Sequence, residues 1–110
     1  MAAQPYDKDA IMPSKELMVV ASFKAKDGME ETALKELSAL LAPTRKEAGC
    51  IQYDLHRGTD DPGVFVFYEI WKSKQDLEQH LEMPYLQALL GKVEDLFAVP
   101  PVINLLDKLG

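Results

Sequence analysis

The sequence predicts an α+β domain of the ferredoxin-like class, in which a split βαβ sheet carries its helices on one face. Apolar patterning along the 110-residue chain follows the order β-α-β-β-α-α-β, which is the ferredoxin-like order with the second helix broken in two. Two neighbouring strand segments are joined by one short turn, which favours an antiparallel hairpin. The length suits one domain and leaves no room for a catalytic domain beside a regulatory one.

The N-terminal part of the chain divides near residue 16. Residues 1–16 are polar, contain two prolines and follow neither a helical nor a strand period, so we expect a flexible extension. A single folded domain is predicted over 17–110. Its first strand, at 17–26, is β-branched and apolar enough to be buried on both faces of a sheet.

The first helix follows an Asp-Gly pair that ends this strand. Glu30 and Glu31 lie in its first turn, where acidic side chains interact favourably with the positive end of the helix dipole. Its apolar stripe consists of Ala33, Leu34, Leu37, Leu40 and Leu41. Pro43 should stop or kink the helix, and 44–48 is expected to add one more turn.

The predicted hairpin pairs Cys50–Arg57 with Val64–Trp71 through a turn at 59–63 that is rich in Asp, Pro and Gly. Strand alternation assigns the residues of the first hairpin strand to two faces. One face should carry Ile51, Tyr53 and Leu55, and the other Gln52, Asp54 and His56.

Three further elements complete the predicted order. Ser73 and Asp76 form a capping-box-like start for a helix that includes His80. Pro84 suits the first turn of another helix, because the amide proton it lacks would have no partner there. Residues 102–106 are expected to form the last short strand.

Both faces of the second hairpin strand are apolar. Two sets of side chains alternate along it, namely Val64, Val66, Tyr68 and Ile70, and Phe65, Phe67 and Trp71. Helices can cover only one of these faces, and soluble monomers rarely expose an apolar patch of that size. A homodimer that packs sheet to sheet is therefore expected.

Composition argues against several classes of function. The net charge is −6 and the isoelectric point is about 4.8, so nucleic acid and anionic membranes are poor partners. The lone Cys50 excludes an intrachain disulfide and any multi-cysteine metal site. No apolar run approaches the roughly 18 residues of a membrane span, and no signal-peptide pattern is present. These features favour a cytoplasmic protein.

Glu69 is the first candidate for chemistry, because it interrupts an apolar strand on the face that it shares with Phe67 and Trp71. A buried carboxylate is costly unless it is paired, and its pKa should rise. Glu69 could serve as a general base or an orienting group. The alternative is a carboxylate near the strand end that reaches solvent or a loop amide.

His80 is the second candidate. Turn and helix can bring it back over the end of the strand that carries Glu69 and Trp71. Histidine is the usual proton-transfer group near neutral pH. The alternative is an exposed helix histidine beside Glu82.

The remaining candidates have equally plain structural explanations. His56 and Asp54 could act as a pair, or they could form the hydrated edge of a hairpin. Tyr53 is typical of a packing residue with a hydrogen-bonded hydroxyl, and Trp71 suits either packing or the wall of a site for a flat aromatic ligand. The chain matches no metal-ligand spacing and no phosphate-binding, nucleophile-elbow or nucleotide motif, so neither a metal nor a cofactor is expected.

Three sequence blocks together are specific enough to indicate a family. They are 47–57 (EAGCIQYDLHR), 60–62 (DDP) and 65–71 (FVFYEIW), and they are followed by His80. In this combination the chain resembles the antibiotic biosynthesis monooxygenase (ABM) family, and within it the small proteins similar to quinol monooxygenases. The resemblance covers roughly 17–106.

The resemblance implies a dimeric α+β barrel with a pocket between sheet and helices in each subunit. Characterised relatives oxidise quinols or polyketide hydroquinones with O₂ and without metal, flavin or haem. The implied partners are a small aromatic substrate, O₂ and a second copy of the chain, and the implied cofactor is none.

The resemblance also implies roles for individual residues. His80 would accept a proton, and Glu69 would orient either His80 or the substrate. The residues expected to bind substrate are Trp71, Phe67, Tyr53 and His56. Such chemistry needs an apolar enclosure that excludes competing proton sources.

Two departures from the family pattern narrow this expectation. Many members carry a histidine where Tyr85 stands here, so any role of that histidine is lost or altered. Haem-degrading relatives use an asparagine on the first strand, where this chain has Val20, Ala21 and Ser22, which disfavours haem degradation.

Two other functions stay open. The same Glu and His could enolise or isomerise a small carbonyl compound, with Arg45 or Arg57 available to hold a phosphate group. The chain could also be a non-catalytic dimeric module that binds an apolar ligand. Fold alone does not separate these functions, because chemistry depends on the site.

Overall fold

The computed structural model of the protein describes residues 16–110. The extension predicted at 1–16 lies outside this range except for Glu16. The helices and strands are, in chain order, β1 (Leu17–Lys24), α1 (Glu30–Ser38), α2 (Leu41–Arg45), β2 (Cys50–Arg57), β3 (Val64–Trp71), α3 (Lys74–Leu81), α4 (Pro84–Leu90), α5 (Val93–Leu96) and β4 (Val102–Leu106).

The strands form an antiparallel sheet in the order β2-β3-β1-β4. The predicted hairpin is present as β2 and β3, and β1 pairs with the other side of β3 so that Val19 lies opposite Glu69. The predicted α+β, ferredoxin-like architecture is confirmed. Because β3 is central, its inward side chains lie near the middle of the molecule.

The helical segments are more divided than the sequence predicts. Pro43 does not end the first helix, because α1 already ends at Ser38 and Pro43 lies in the first turn of α2. A proline fits there because the first N–H groups of a helix have no intrahelical acceptor. Between β3 and β4, where the sequence predicts two helices, the structure has three, namely α3, α4 and α5. Within residues 16–110, no helix has the length and apolar character needed to cross a membrane.

The central strand separates two faces of different character. Phe65, Phe67 and Trp71 are buried on the inner face, against the helices, and Glu69 is buried among them. The alternate residues of β3 are half-buried on the outer face. The inner face therefore supplies the core, and any chemistry of Glu69 must take place inside it.

The predicted faces of β2 are correct except near its start. Tyr53 is buried and Leu55 packs against the core, but Ile51 is 45% exposed. A register shift between Cys50 and Gln52 inserts one extra residue into β2, and a bulge of this kind disturbs the alternation of side chains. Cys50 packs against the core in place of Ile51.

The start of α3 is held close to the turn that precedes β2. As predicted, Ser73 caps this helix, and its hydroxyl accepts a 3.1 Å hydrogen bond from the amide of Asp76. The amide of Lys72 donates to the carbonyl of Gly49 at 2.9 Å. A Cβ atom at Gly49 would overlap the Asp76 side chain. Glycine at position 49 therefore allows α3, which carries His80, to approach this turn.

Candidate active site

A small cavity of about 60 Å³ lies between the inner face of the sheet and helices α3 and α4. All four strands contribute to its wall, which is mainly aliphatic and aromatic. Its polar groups come from Tyr53, Glu69 and His80. Leu90 and Ile103 also line it and are partly exposed, so they mark its solvent side. An apolar cavity with a few convergent polar groups is the usual form of a small-molecule site.

Glu69 is 5% exposed and lies on the inner face of β3. Its Oε1 accepts a 2.8 Å hydrogen bond from Nε1 of Trp71, which is two residues away on the same face of the strand. Burial raises the pKa of Glu69 to about 7, the Trp71 hydrogen bond acts in the opposite direction, and the charge of Glu47 raises it further. A carboxyl group with a pKa near 7 can exchange a proton at neutral pH, as a general acid or base must.

His80 lies in the last turn of α3 and is 2% exposed. Its Nδ1 lies 2.8 Å from Oε2 of Glu47, whereas Glu82, the partner considered from the sequence, is exposed. The hydroxyl of Tyr85 donates a hydrogen bond to the same Glu47 oxygen. Because Nδ1 is engaged by Glu47, Nε2 is the ring nitrogen left for a molecule in the cavity.

Aromatic rings surround the imidazole of His80. The centroid of Trp71 lies 4.6 Å from that of His80, and the ring of Tyr53 contacts it edge-on at 5.5 Å. Tyr53 in turn stacks on Phe67 with centroids 4.7 Å apart. Phe67 and Tyr53 line the cavity, whereas Trp71 contacts the two acid–base groups. Packing of this density holds the imidazole in one orientation.

The two tyrosines near the site keep their protons. Burial strongly raises the pKa of the Tyr53 hydroxyl, and burial together with the hydrogen bond to Glu47 raises that of Tyr85. Among the described residues, the Thr44 hydroxyl oxygen (Oγ1) is the one buried side-chain polar atom without a hydrogen bond of normal geometry. Its hydroxyl lies near both tyrosines and partly offsets the rise in their pKa values.

His56 does not join this group. It lies on the outer face of the sheet, is exposed, and its Nδ1 is 3.2 Å from the carbonyl oxygen of Val66. Its neighbour Asp54 is paired with Arg45 and Gln52 on the same face. Of the candidate residues, the structure therefore brings together Tyr53, Phe67, Glu69, Trp71 and His80, and it leaves His56 outside.

Glu47 is the main polar residue of the site that sequence reasoning did not single out. It belongs to the turn between α2 and β2 and reaches His80, which is 33 residues later in the chain. The sequence shows that Glu47 lies two residues before Gly49, but it does not show where the side chain points. The signal that could have identified Glu47 is that it is a charged residue within the block 47–57, which carries the family resemblance.

The other potential chemical groups are less suited to reaction. Burial, followed by the charges of Glu47 and Glu69, raises the pKa of the half-buried Cys50 thiol to about 11. Within residues 16–110, no group of three His, Cys, Asp or Glu side chains is arranged to hold a metal ion. Among the side chains that line the cavity, Glu69 and His80 are the groups suited to proton transfer.

Comparisons with known proteins agree with this architecture. The family model described as antibiotic biosynthesis monooxygenase matches residues 17–92. The crystal structure of PA3566 from Pseudomonas aeruginosa superposes with a TM-score of 0.83 at 35% sequence identity, and the match covers 88% of this chain and 97% of that one.

Two curated relatives show different degrees of coverage. YcnE of Bacillus subtilis, whose name describes a candidate monooxygenase, is 30% identical over 84 residues, which are 76% of this chain and 88% of YcnE. The protein sll1783 of Synechocystis is 28% identical over 89 residues, which are 81% of this chain but only 60% of the length of sll1783.

Proposed function

Since the chain belongs to the antibiotic biosynthesis monooxygenase family, we propose that it oxidises small, electron-rich aromatic compounds of the quinol type with O₂ and without a bound cofactor. The observation that carries this proposal is Glu69, a carboxyl with a pKa of about 7 that lines an apolar cavity together with His80. Acid–base groups in an apolar enclosure are what deprotonation of a phenol requires.

In the proposed reaction the substrate supplies all four electrons that reduce O₂. A hydroquinone would lose two hydrogens and gain one oxygen atom, and the second oxygen atom would leave as water, so the products are a hydroxyquinone and water. Removal of a hydroxyl proton is the first step, because the phenolate passes an electron to O₂ far more readily than the phenol does. The task of the protein is therefore to take that proton and hold the ring.

Each residue of the site has a role in this proposal. His80 takes the proton through Nε2, because its Nδ1 is bound to Glu47. Glu69, as a carboxylate, accepts a hydrogen bond from the second hydroxyl of the hydroquinone and so orients the ring. Trp71 orients Glu69 through its 2.8 Å hydrogen bond. Phe67 and Tyr53 form aromatic walls of the cavity. His56 has no role in it, because it lies on the opposite face of the sheet.

The cavity constrains how substrate enters. A volume of about 60 Å³ holds a few water molecules and is smaller than a typical pocket for a drug-sized ligand. The exposed lining residues Leu90 and Ile103 belong to α4 and to the edge strand β4. We infer that these two elements separate when the aromatic substrate binds.

A homodimer is part of the proposal. The outer face carries Val66, Tyr68 and Ile70, and across the sheet Val20 lies opposite Tyr68 and Met18 opposite Ile70. On β1 and β3 this face is mainly apolar, and these residues are half-buried within the single chain except for Met18, which is buried. Packing two such faces together would remove that surface from water.

Enolisation of a phosphorylated carbonyl compound receives less support. That reaction needs a cation beside the acid–base groups, and the two arginines considered from the sequence are engaged elsewhere. Arg45 donates to the carbonyl of Tyr53 and to Asp54. Arg57 donates to Glu31 and lies over the ring of Phe65, and neither arginine lines the cavity.

Oxygen uptake with anaerobically prepared 1,4-naphthohydroquinone, in buffer that contains a metal chelator, tests the proposal. We expect saturable uptake that falls about tenfold or more in His80→Ala and in Glu69→Gln, a loss of about 1.4 kcal/mol in transition-state stabilisation. His56→Ala is the matched control and should behave as the wild type.

Heat-killed protein sets the background, because quinols oxidise in air without a catalyst. Uptake by the native protein that does not exceed this background would overturn the proposal for quinols. Mass spectrometry of the product after reaction under ¹⁸O₂ should show one labelled oxygen atom, and an unlabelled quinone would indicate dehydrogenation instead.

A further inference from the structure

A partly buried polar cluster contacts the Nδ1 side of His80. It consists of Glu47 and Tyr85, both of which lie outside the set of residues that line the cavity. Oε2 of Glu47 is 2.8 Å from Nδ1 of His80 and also accepts a hydrogen bond from the Tyr85 hydroxyl. The Glu47 side chain is only 8% exposed. A charge this well buried needs both partners if the fold is to tolerate it.

We propose that Glu47 is the positioning residue for His80, that it fixes the imidazole in the tautomer with the proton on Nδ1, and that Tyr85 holds the carboxylate in place for this purpose. The inference rests on the proposed function, since it concerns the base of that site. An ionised carboxylate only accepts hydrogen bonds, so its contact with Nδ1 requires the ring proton there. Nε2 then has a free lone pair for the substrate proton.

The chain holds Glu47 rigidly enough for this role. Its amide donates to the carbonyl of Thr44 at 3.0 Å, and its carbonyl accepts from the amide of Cys50 at 3.1 Å. The backbone is thus tied both to the end of α2 and to the start of β2. Tyr85 follows Pro84 at the start of α4, so the cluster joins this turn to α3 and α4.

The arrangement gives Glu47 a second effect on the reaction. When Nε2 accepts a proton, the imidazole becomes positively charged, and a carboxylate 2.8 Å from Nδ1 stabilises that charge. A base whose far nitrogen is held by a carboxylate recurs in acid–base and nucleophilic catalysis. Glu47 does not touch the substrate, so its effect should fall on the rate of the chemical step rather than on binding.

The tautomer is measured directly and without substrate. In the full-length protein, uniformly labelled with ¹⁵N, two-bond ¹H–¹⁵N spectra distinguish neutral imidazoles protonated on Nδ1 from those protonated on Nε2. A His56→Gln variant assigns the two histidines. We expect His80 to be held as the Nδ1–H form. A His80 that is protonated on Nε2, or that averages between the two tautomers, would overturn the proposal.

Kinetics then test the consequence. Glu47→Gln keeps the size of the side chain and removes its charge, so we expect kcat to fall about tenfold or more while KM changes by less than about twofold. Glu82→Gln removes an exposed carboxylate two residues after His80 and is the matched control, expected to leave both constants unchanged. A kcat for Glu47→Gln within about twofold of the wild type would contradict the inference.

The two proposals fail separately. If no aromatic substrate is turned over but His80 is held as the Nδ1–H form, the proposed function fails and Glu47 still positions the imidazole. If substrate is turned over and the tautomer is the other one, the role of Glu47 fails alone. Tyr85→Phe removes one of the two hydrogen bonds that hold the Glu47 carboxylate. We expect it to lower kcat, but by less than Glu47→Gln does, because the contact between Glu47 and His80 carries the larger part of the effect. A kcat for Tyr85→Phe equal to that of the wild type would contradict the role of Tyr85.

Discussion

Nε1 of Trp71 donates a 2.8 Å hydrogen bond to Oε1 of Glu69, two residues earlier on the same face of β3. The carboxyl is subject to two opposed effects, because burial raises its pKa and the indole hydrogen bond lowers it, and burial prevails to give a pKa of about 7. The indole therefore sets how far that pKa rises.

Trp71→Phe should move the pKa of Glu69 upward from about 7. The phenyl ring keeps the site apolar but removes the donor that stabilises the charged form. In the proposed reaction Glu69 acts as a carboxylate, so activity declines as pH falls through its pKa. We expect the acid limb of the pH profile of kcat/KM to shift by roughly one unit to higher pH. Such a shift corresponds to a loss of about 1.4 kcal/mol in stabilisation of the Glu69 carboxylate.

Tyr68→Phe is the control for this experiment, because Tyr68 lies on the same strand but on the outer face. An acid limb that stays in place in Trp71→Phe would show that the indole does not tune Glu69.

Glu69 should also make stability depend on pH. Its pKa is about 7 in the folded chain against 4.5 when unperturbed, so the folded state binds the proton more tightly than the unfolded state does. Stability contributed by this group is therefore greatest below pH 4.5 and is lost as pH rises through 7, by roughly 3 kcal/mol in all. Glu69→Gln removes this dependence.

Urea denaturation of the wild type and of Glu69→Gln between pH 5 and 8 isolates the effect, because other titrating groups are common to both. The glutamine variant should gain stability relative to the wild type as pH rises. A difference between the two proteins that does not vary with pH would contradict the burial argument.

Gly49→Ala should destabilise the fold and reduce activity together. The added Cβ would overlap the Asp76 side chain at the start of α3, and such overpacking typically costs about 1–3 kcal/mol. The displaced helix carries His80, and the displaced turn carries Glu47. Gly91→Ala is the control, since its nearest contact would be an ordinary 3.5 Å and its φ is −68°.

Urea midpoints for the two glycine variants provide the comparison. We expect Gly91→Ala to match or slightly exceed the wild type, because alanine reduces the entropy of the unfolded chain. Equal midpoints for Gly49→Ala and the wild type would mean that α3 can shift without cost.

Tyr68→Asp should separate the proposed dimer into monomers. The substitution places a charge at the centre of the outer face, where Tyr68 pairs with Val20 of β1 and Asp54 of β2, and burying it between two sheets would be strongly unfavourable. Sedimentation velocity should give a dimer for the wild type and for Gln79→Asp, an exposed control on α3. A monomeric wild type would remove the dimer from the proposed function.

The alternation of side chains along β3 was the sequence pattern that predicted the site best. A two-residue period places Phe67, Glu69 and Trp71 on one face whatever the rest of the fold does, and the buried inner face of β3 bears this out. The same reasoning failed for Ile51, because a bulge in β2 depends on the pairing of two strands and leaves no mark in one strand alone. The prediction that Pro43 ends the first helix was wrong, because proline is compatible with both the end and the start of a helix.

The partner of His80 could not be predicted in the same way. Helix geometry was enough to return His80 to the end of β3, but its hydrogen bond goes to Glu47, 33 residues away. That contact depends on side-chain rotamers and on the close approach that Gly49 allows, and neither has a period in the sequence. The reduced exposure of Glu69 and His80 likewise follows from packing of α3 and α4 rather than from local pattern.

The high pKa of Cys50 has a consequence for the durability of the protein under the proposed activity. Quinones are electrophiles that arylate cysteine, and the attacking species is the thiolate. With a pKa of about 11, the thiol of Cys50 is ionised in only about one molecule in ten thousand at pH 7. Burial beside two carboxylates thus protects the chain's lone cysteine from the products that the neighbouring cavity would release.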